Sequence, residues 1–321
     1  MMTYVLLVVG MLMLLFGASN LVDAIVAIAK RTRISLLVLA AIVVGLSATE
    51  LYISLSMALT GKGDMSIGNI LGSNLCNNMM VVGIVGLICT FRVTSQNLRR
   101  DIPFSFVATL VVMLLCMDSL SGQAAFNSVD RKDAVILLLL YAFYIGYIVR
   151  KSKKDIPLTV SDTFYTGKPL KILLPTAIVS LIILLTGGEM LLDAAIEIAY
   201  QVGISEKAIS ISVLSIGKTL PEIATCSIAA YKRVPQVALA NVFAENVYNM
   251  LVILGLAALS RPIVVEQVDI TDFAVLLLAA ALTTYFVFFS HRKKIGRPEG
   301  AILLSIYIGY IVWLLIINTD K

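Results

Sequence analysis

Side chains that could bind cations lie within apolar stretches of this 321-residue chain. Glu50, Glu222 and Glu245 each stand in a segment dominated by Leu, Ile, Val and Ala. One ionised carboxylate at mid-bilayer costs about 2.5–3.5 kcal/mol on insertion scales, so three of them indicate a function. Hard cations such as Ca²⁺ and Na⁺ prefer oxygen ligands, and we therefore interpret the glutamates as part of a cation site.

Amide and hydroxyl side chains accompany the glutamates at a helical spacing. Two sets of polar residues recur every four positions, so that each set shares one helix face: Asn69, Ser73 and Asn77, then Asn241, Glu245 and Asn249. Neither set contains a thiolate or imidazole ligand, which argues against a transition metal. The alternative is that these residues only join helices by hydrogen bonds. Because carboxylates accompany matching stripes twice, a shared cation cavity is the better interpretation.

The composition predicts a polytopic membrane protein. Hydrophobic residues make up 59% of the chain and charged residues 14%, and the mean hydropathy is +0.96, whereas soluble domains carry about 25% charged residues. Apolar segments near the 20 residues that cross a bilayer as helix follow one another. We read the first as a mature helix and predict an all-α protein with ten transmembrane helices: 3–28, 34–60, 66–91, 102–118, 133–150, 169–201, 205–230, 235–259, 271–290 and 300–318.

Basic residues are distributed unevenly over the predicted loops. Of the 25 Lys and Arg residues, 18 fall in the loops after the odd-numbered helices and six on the opposite side, and Lys218 lies within the membrane. Cytoplasmic loops carry the excess of positive charge, so we expect both termini to be non-cytoplasmic. We expect the location to be the cell (inner) membrane, with the lipid bilayer as the surroundings.

The two halves of the chain resemble each other. "LLFGASNLVDA" (14–24) is similar to "LLTGGEMLLDA" (184–194), and "GNILGSNLCNNMMVVG" (68–83) to "ANVFAENVYNMLVILG" (240–255). Five helices per copy is an odd number, which predicts two inverted five-helix repeats, an architecture of secondary transporters. We divide the chain into a first repeat, a cytoplasmic linker and a second repeat: 1–150, 151–168 and 169–321.

These motifs resemble the sodium/calcium exchanger family of the cation/calcium antiporter superfamily. "GNILGSNLCN" matches the family pattern G-N-x-x-G-S-N-x-x-[ND], and "TLPE" matches the core of the duplicated G-T-S-x-P-E motif. The resemblance covers nearly the whole chain and implies alternating access, with helices one and six sliding across the remaining bundle. It implies exchange of Ca²⁺ against Na⁺ and no cofactor.

The resemblance also implies which side chains bind the transported ions. Carried over position by position, the central carboxylates, which would hold the metal, are Glu50 and Glu222. Further ligands would be Ser47, Ser73, Asn77, Thr219 and Asn249. Departures mark a divergent prokaryotic-type member: Leu46, Thr49, Lys218, Ala240, Ala244 and Glu245 replace the family's residues.

Two of these departures are opposite charges in the expected ion cavity. We predict that Lys218 and Glu245 form an ion pair in which the ammonium replaces one monovalent cation. Three glutamates and one lysine carry a formal charge of −2, which still suits a divalent ion. Proton release from Lys218 could instead couple to transport, so an H⁺-coupled divalent cation exchanger at the same site is the alternative.

Other functions are weaker predictions. Four scattered cysteines and one histidine, His291, do not indicate a zinc or haem site. We expect no enzyme activity, no nucleic-acid partner and no obligate protein partner; a passive channel or membrane scaffold is a third alternative. Asp23 and Asp193 occupy matching positions, where interfacial solvation is expected and an outer-cavity role is the alternative; Glu189 and Glu197 are similar.

Overall fold

The structure is a computed structural model of the chain and describes residues 2–32, 39, 48–91, 98–116, 128–151, 164–203, 215–265, 270–289 and 294–319. These residues are mostly helical. The predicted ligand Ser47 and the loop residue His291 lie outside the described residues.

The first half contains five helices in the described residues. They are α1 (Met2–Thr32), α2 (Ala48–Leu59), α3 (Gly63–Ile88), α4 (Leu98–Leu115) and α5 (Arg131–Lys151). A two-residue strand, β1 (Ser128–Val129), precedes α5. Within α3, the backbone changes from α-helix to π-helix over Cys76–Val81 and returns to α-helix at Val82.

The second half repeats this order in the described residues. Its helices are α6 (Leu170–Gln201), α7 (Leu220–Tyr231), α8 (Pro235–Ser260), α9 (Ile270–Phe288) and α10 (Arg297–Thr319), with β2 (Ile263–Val264) after α8. A helical turn, Ser215–Gly217, precedes α7. The π-helical segment of α8 is Asn249–Ile253. Single-turn π segments inside α-helices occur often at functional sites.

The helices α3 and α8 form the centre of the bundle. In the most apolar 18-residue stretch of each of these helices, 78% is buried, compared with 33% in α1 and 28% in α6. Their polar residues are therefore shielded from lipid, whereas α1 and α6 expose much of their apolar surface. This arrangement satisfies the rule that intramembrane polar groups face the protein interior.

α1 and α6 pack against each other through glycines. A Cβ at Gly17 would lie 2.6 Å from the Leu184 nitrogen, and one at Gly187 would lie 2.6 Å from the Leu14 nitrogen. Glycine at these positions lets the two backbones touch, as small residues do in membrane helix pairs. The contact makes α1 and α6 one packed unit beside the central helices.

Short backbone pairings join the ends of the helices, and the sequence did not predict them. At one end, β1 pairs antiparallel with β2, with Ser128 opposite Val264. At another, Phe91 and Ile295 form an isolated antiparallel bridge. In both places a segment of one half satisfies the backbone of a segment of the other half.

The described helices overlap the ten apolar segments that the sequence predicted, and several of them begin or end a few residues beyond the predicted bounds. Among the described residues, five helices are long and apolar enough to cross a membrane by length and composition: 2–32, 63–88, 170–201, 235–260 and 271–288. The structure thus confirms a mostly helical chain with several apolar helices. The exact number of spans, the inverted relation of the halves and the domain boundaries stay predictions.

Candidate functional site

The central glutamates stand at matching helix starts. Glu50 and Glu222 are each the third residue of their helix, in α2 and α7. Before α7, the helical turn 215–217 ends and Lys218 and Thr219 form a non-helical turn, with Pro221 next in the first turn of α7. The break lies between Gly217 and Pro221. Carboxylates are favoured here because a helix N-terminus carries partial positive charge.

The structure brings the three glutamates together. Glu50 and Glu222 are 8% and 9% exposed, and Glu245 of α8 is 0% exposed. The charge of Glu50 acts on Glu222, and the charges of both act on Glu245. Three carboxylates drawn from α2, α7 and α8 therefore share one buried region in which the repulsion between their ionised forms is strong.

Polar residues from both halves surround these carboxylates. Ser73 of α3 and Asn249 of α8 donate side-chain hydrogen bonds to Glu50. Asn77 of α3 lies beside Glu245. Of the predicted ligands in the described residues, Ser73, Asn77 and Asn249 thus contact the glutamates, and each contact to Asn249 or Glu245 joins the two halves.

Asparagines also connect α3 and α8 directly. Asn74 Nδ2 donates to the Asn246 carbonyl (3.1 Å), and Asn249 Nδ2 donates to Asn74 Oδ1 (3.1 Å). Asn77 Nδ2 donates to Asn246 Oδ1 at 3.2 Å. All four side chains are buried. Hydrogen bonds of this kind fix the crossing of two helices, so the interpretation of polar residues as helix contacts holds for Asn74 and Asn246.

Several buried oxygens beside the glutamates have no hydrogen-bond partner among the described residues. They are Glu222 Oε2, Glu245 Oε1 and Oε2, Asn77 Oδ1, Asn241 Oδ1 and Asn249 Oδ1. A buried polar group without a partner costs about 1–3 kcal/mol on mutational scales. Clustered orphan oxygens that include carboxylates are suited to a hard cation, which takes six to eight such ligands when it is Ca²⁺.

The hydroxyl of Thr219 is placed differently from the other predicted ligands. Its Oγ1 donates to the Ile216 carbonyl (2.9 Å) and lies 3.1 Å from Cys76 Sγ. These contacts hold the turn before α7 against α3. Thr219 is 1% exposed. The two contacts of its hydroxyl stabilise the break before α7, and neither of them is with a carboxylate.

Lys218 does not form the ion pair predicted with Glu245. Its Nζ donates to Asn69 Oδ1 at 2.9 Å and experiences the charge of Glu50, while both Glu245 oxygens have no hydrogen-bond partner in the described residues. The prediction was wrong because the ammonium reaches Asn69, the first residue of the polar stripe on α3. Glu245 is the second residue of the polar stripe on another helix, α8. Asn69 in turn donates to Ser54 Oγ at 3.1 Å.

A cavity of about 240 Å³ lies between this site and α6. Glu50, Lys218 and Glu222 line it together with Leu185, Glu189 and Leu192 of α6. Gly188 brings α6 against the site, because a Cβ there would lie 3.0 Å from Pro221 Cγ. Two of the carboxylates and α6 therefore border one cavity.

Known proteins match almost the whole chain. The family model described as "Sodium/calcium exchanger protein" matches residues 2–150 and 172–316. The chain belongs to the sodium/calcium exchanger family. The resemblance stated from the motifs is thereby confirmed.

Relatives and solved structures agree with this family. The putative antiporter CaxA of Alkalimonas amylolytica is 28% identical over 94% of this chain and 95% of its own length. The inner membrane protein YrbG of Escherichia coli strain K12 is 29% identical over 96% and 94%. A structure of the sodium-calcium exchanger NCX_Mj, soaked with 10 mM Na⁺ and zero Ca²⁺, matches with a TM-score of 0.81 at 25% identity, covering 97% of this chain and 98% of that chain.

Membership in this family indicates the general function of the protein. The family transports ions, and the matches support a membrane protein that exchanges a cation against Ca²⁺. Within the described ranges, no group of three or more His, Cys, Asp or Glu side chains is arranged to hold a metal by itself. An ion among the glutamates would therefore need amide or hydroxyl oxygens as well.

Sequence reasoning missed the contacts that surround the exchanger's glutamates. Asn69 was not assigned as the partner of Lys218, nor Ser54 as the partner of Asn69, although Asn69 was recognised as the first residue of its polar stripe. For Glu189, interfacial solvation was expected and an outer-cavity role was the alternative; its side chain lines the cavity. Asp23 was expected to be solvated, but its Oδ1 lies 2.7 Å from Lys232 Nζ. Helical spacing could identify these positions, whereas it carries no signal for their partners on other helices.

Proposed function

We propose that this protein is a secondary antiporter that exchanges Ca²⁺ for Na⁺ by alternating access at the buried glutamate site. The observation that carries the proposal is the meeting of Glu50 and Glu222, which come from matching helix starts in the two halves. They share one buried region with oxygens that lack hydrogen-bond partners among the described residues. Membership in the family supplies the pair of ions.

The proposed ligands are the carboxylates and their neighbours. Glu50 and Glu222 bind Ca²⁺ or Na⁺ in alternation, and Glu245 adds a third carboxylate. The oxygens of Ser73, Asn77 and Asn249 complete the coordination, because their side chains contact the glutamates. Ser47 and Thr219 stay candidate ligands, and Thr219 lies in the helix break before α7. Thr219 would exchange its bond to Ile216 for one to the ion.

Lys218 replaces one monovalent cation in this proposal, acting with Asn69 and Glu50 rather than with Glu245. Its ammonium is held at Asn69 Oδ1 and acts electrostatically on Glu50. Glu50, Glu222 and Glu245 together with Lys218 have a formal charge of −2, so one Ca²⁺ neutralises the site. A fixed ammonium therefore predicts one transported Na⁺ fewer per Ca²⁺ than a site with threonine at this position.

Alternating access requires a moving part, and the packed unit of α1 and α6 is suited to it. α6 borders the cavity, and glycine contacts join it to α1. We propose that the halves are inverted repeats and that this unit slides across α2, α3, α7 and α8. The termini are then non-cytoplasmic and the protein lies in the cell (inner) membrane, as the distribution of basic residues predicts.

The test is ⁴⁵Ca²⁺ uptake into proteoliposomes that contain the purified protein. An outward Na⁺ gradient should drive uptake in the presence of a K⁺ ionophore that fixes the membrane potential. Liposomes without protein and liposomes with the Glu222→Gln variant are the controls. If the imposed Na⁺ gradient drives no uptake above these controls, the proposal is wrong.

H⁺-coupled exchange of a divalent cation is the second candidate, and Glu245 favours it. Both oxygens of this buried carboxyl lack hydrogen-bond partners in the described residues, and two other carboxyls lie near. A third carboxyl at a site for a divalent ion offers a place for a proton when that ion leaves. The same proteoliposomes with a pH gradient and no Na⁺ distinguish the candidates, because uptake under that gradient alone supports H⁺ coupling.

A further inference from the structure

A second lysine contacts the packed unit of α1 and α6 far from the glutamates. Lys232, the residue after α7, has its Nζ 2.7 Å from Asp23 Oδ1. The same Nζ donates to the Ser19 carbonyl and to Ser19 Oγ, both at 2.9 Å. Asp23 and Ser19 belong to α1. We refer to Lys232, Asp23 and Ser19 as the Lys232 clamp.

The clamp lies at the opposite end of α7 from the glutamate site. Glu222 is the third residue of α7, whereas Lys232 follows its last residue, Tyr231. The two side chains of the ion pair are 26% and 20% exposed, so water screens the pair only in part. Three contacts from one ammonium therefore hold α1 against this end of α7.

The second half has no equivalent clamp at its matching positions. By the repeat, Ser19 and Asp23 of α1 correspond to Glu189 and Asp193 of α6, and Lys232 corresponds to Thr60. Thr60 Oγ1 donates to the Ser56 carbonyl of its own helix at 2.9 Å. Glu189 instead lines the open cavity. One end of the packed unit is thus held by an ion pair, and the other end borders a cavity.

We propose that Asp23 and Lys232 are positioning residues that stabilise the conformation in which the cavity along α6 is open. The clamp holds α1, the glycine contacts transmit the restraint to α6, and α6 stays in the position in which it lines the cavity beside Lys218 and Glu222. When the packed unit of α1 and α6 slides to open the site to the other side of the membrane, the clamp must break. This inference rests on the proposed alternating access but not on which ions are exchanged.

Cysteine labelling from the aqueous phase tests the clamp without any transport measurement. Leu185 lines the cavity, and Leu15 occupies the matching position on α1. Each is replaced by Cys in separate variants on a Cys89→Ser background, since Cys89 is partly exposed while the other native thiols are buried. The ratio of the labelling rates with a membrane-impermeant maleimide, Leu185→Cys over Leu15→Cys, reports the equilibrium between the two conformations.

Lys232→Met should lower this ratio by about fivefold, the factor expected for a partly exposed ion pair. Asp23→Asn should lower the ratio similarly. The double variant should have nearly the same ratio as either single variant, because both changes remove the same interaction. Lys232→Arg should restore the ratio, because its guanidinium can still donate to Asp23 and Ser19. Arg233→Met is the matched control, since it removes a positive charge from the same turn and should leave the ratio unchanged.

Three results would overturn the proposal: an unchanged ratio in Lys232→Met, an equal fall in Arg233→Met, or no recovery in Lys232→Arg. Size-exclusion profiles and thermal unfolding in detergent verify that each variant is folded. A purely structural role would lower thermal stability without moving the labelling ratio, and that result also counts against the clamp. Because labelling requires neither Na⁺ nor Ca²⁺, a failure here is distinct from a failure of the exchange experiment.

Discussion

Asn69 in the first half and Asn241 in the second occupy matching positions, but their surroundings differ. Asn69 donates to Ser54 Oγ at 3.1 Å and accepts from Lys218 Nζ at 2.9 Å. Asn241 Nδ2 lies 3.9 Å from Cys226 Sγ, a weak acceptor, and its Oδ1 has no partner in the part of the chain that the structure describes.

This difference shows that duplicated positions need not have duplicated chemistry. In the first half, Asn69 Oδ1 accepts a hydrogen bond from the Lys218 ammonium. In the second half, the buried Asn241 Oδ1 has no hydrogen-bond partner among the described residues. The clamp follows the same rule, because Lys232 binds α1 while Thr60 bonds within its own helix. The halves share their helices and their central glutamates, and they differ in the charges placed around them.

The largest expected effect concerns the feature that the halves share. Glu222→Gln and Glu50→Gln should each lower Ca²⁺ exchange about 100-fold or more, since losing a charged ligand worth about 3 kcal/mol corresponds to that factor. Initial rates of ⁴⁵Ca²⁺ uptake into proteoliposomes measure the effect.

Glu197→Gln is the matched control for both variants, because Glu197 lies on α6 and accepts a hydrogen bond from Gln201 outside the site. It should retain full exchange. Comparable rates in Glu50→Gln and the control would show that the two halves do not contribute equally to the site.

Lys218→Thr tests the charge that distinguishes the first half. If the ammonium replaces one Na⁺, the variant transports one more Na⁺ per Ca²⁺. With a tenfold Na⁺ gradient and zero membrane potential, the Ca²⁺ accumulation at equilibrium should then rise about tenfold. Steady-state ⁴⁵Ca²⁺ accumulation measures this ratio, with Lys62→Thr on an exposed turn as the control. An unchanged accumulation ratio would contradict the replacement of a monovalent ion by Lys218.

Asn69→Ala and Asn241→Ala sharpen the comparison at the asparagines. The first change removes the acceptor of a charged donor, and the second removes a weak sulfur contact. Because Asn69→Ala leaves the Lys218 ammonium without its acceptor, whereas Asn241→Ala removes an amide oxygen that has no partner in the described residues, Asn69→Ala should destabilise the protein by about 1–2 kcal/mol more than Asn241→Ala. The difference appears as a lower unfolding temperature in detergent at one pH. Equal unfolding temperatures would mean that the bond to Lys218 contributes nothing measurable.

The smallest effect concerns the starts of α5 and α10. The Asp130 carboxylate accepts from the backbone nitrogens of Lys132 (2.7 Å) and Asp133 (3.0 Å), while Gly296 at the matching start of α10 has no side chain. In both helices an acidic side chain in the first turn accepts a hydrogen bond from the residue before the helix. Asp133 Oδ2 accepts from the Asp130 nitrogen, and Glu299 Oε2 accepts from the Gly296 nitrogen. Asp130→Ala should cost about 1 kcal/mol, as for other N-caps.

The pH dependence of this cap has a defined sign. Backbone hydrogen bonds from Asp133 and Lys132 lower the pKa of Asp130. A carboxyl whose pKa is lower in the folded state stabilises the protein above its unfolded pKa, near 3.9, and loses that contribution as the pH falls through the folded value. Unfolding temperatures of the wild type and Asp130→Ala should therefore differ at pH 7 and converge in acid. A constant difference would assign the effect to something other than the carboxylate.

The sequence predicted the members of the site better than their contacts. Glu50 and Glu222 were identifiable because a charge in an apolar segment is expensive, and Ser73, Asn77 and Asn249 because helical spacing groups them. The ion pair between Lys218 and Glu245 was predicted from opposite charge alone and is not formed. Charge indicates that two residues attract each other, but the register of α3 against α7 and α8 decides which one the ammonium reaches.

By itself, the sequence determined that this chain is an apolar helical protein of the sodium/calcium exchanger family with acidic residues inside its helices. Those properties follow from composition and from spacing along one helix, which are local. Only the tertiary structure decided that Lys218 bonds to Asn69, that Lys232 holds α1 and that α6 borders a cavity. These contacts depend on how helices distant in sequence cross, and small residues such as Gly17 and Gly187 set that geometry by how closely the backbones approach.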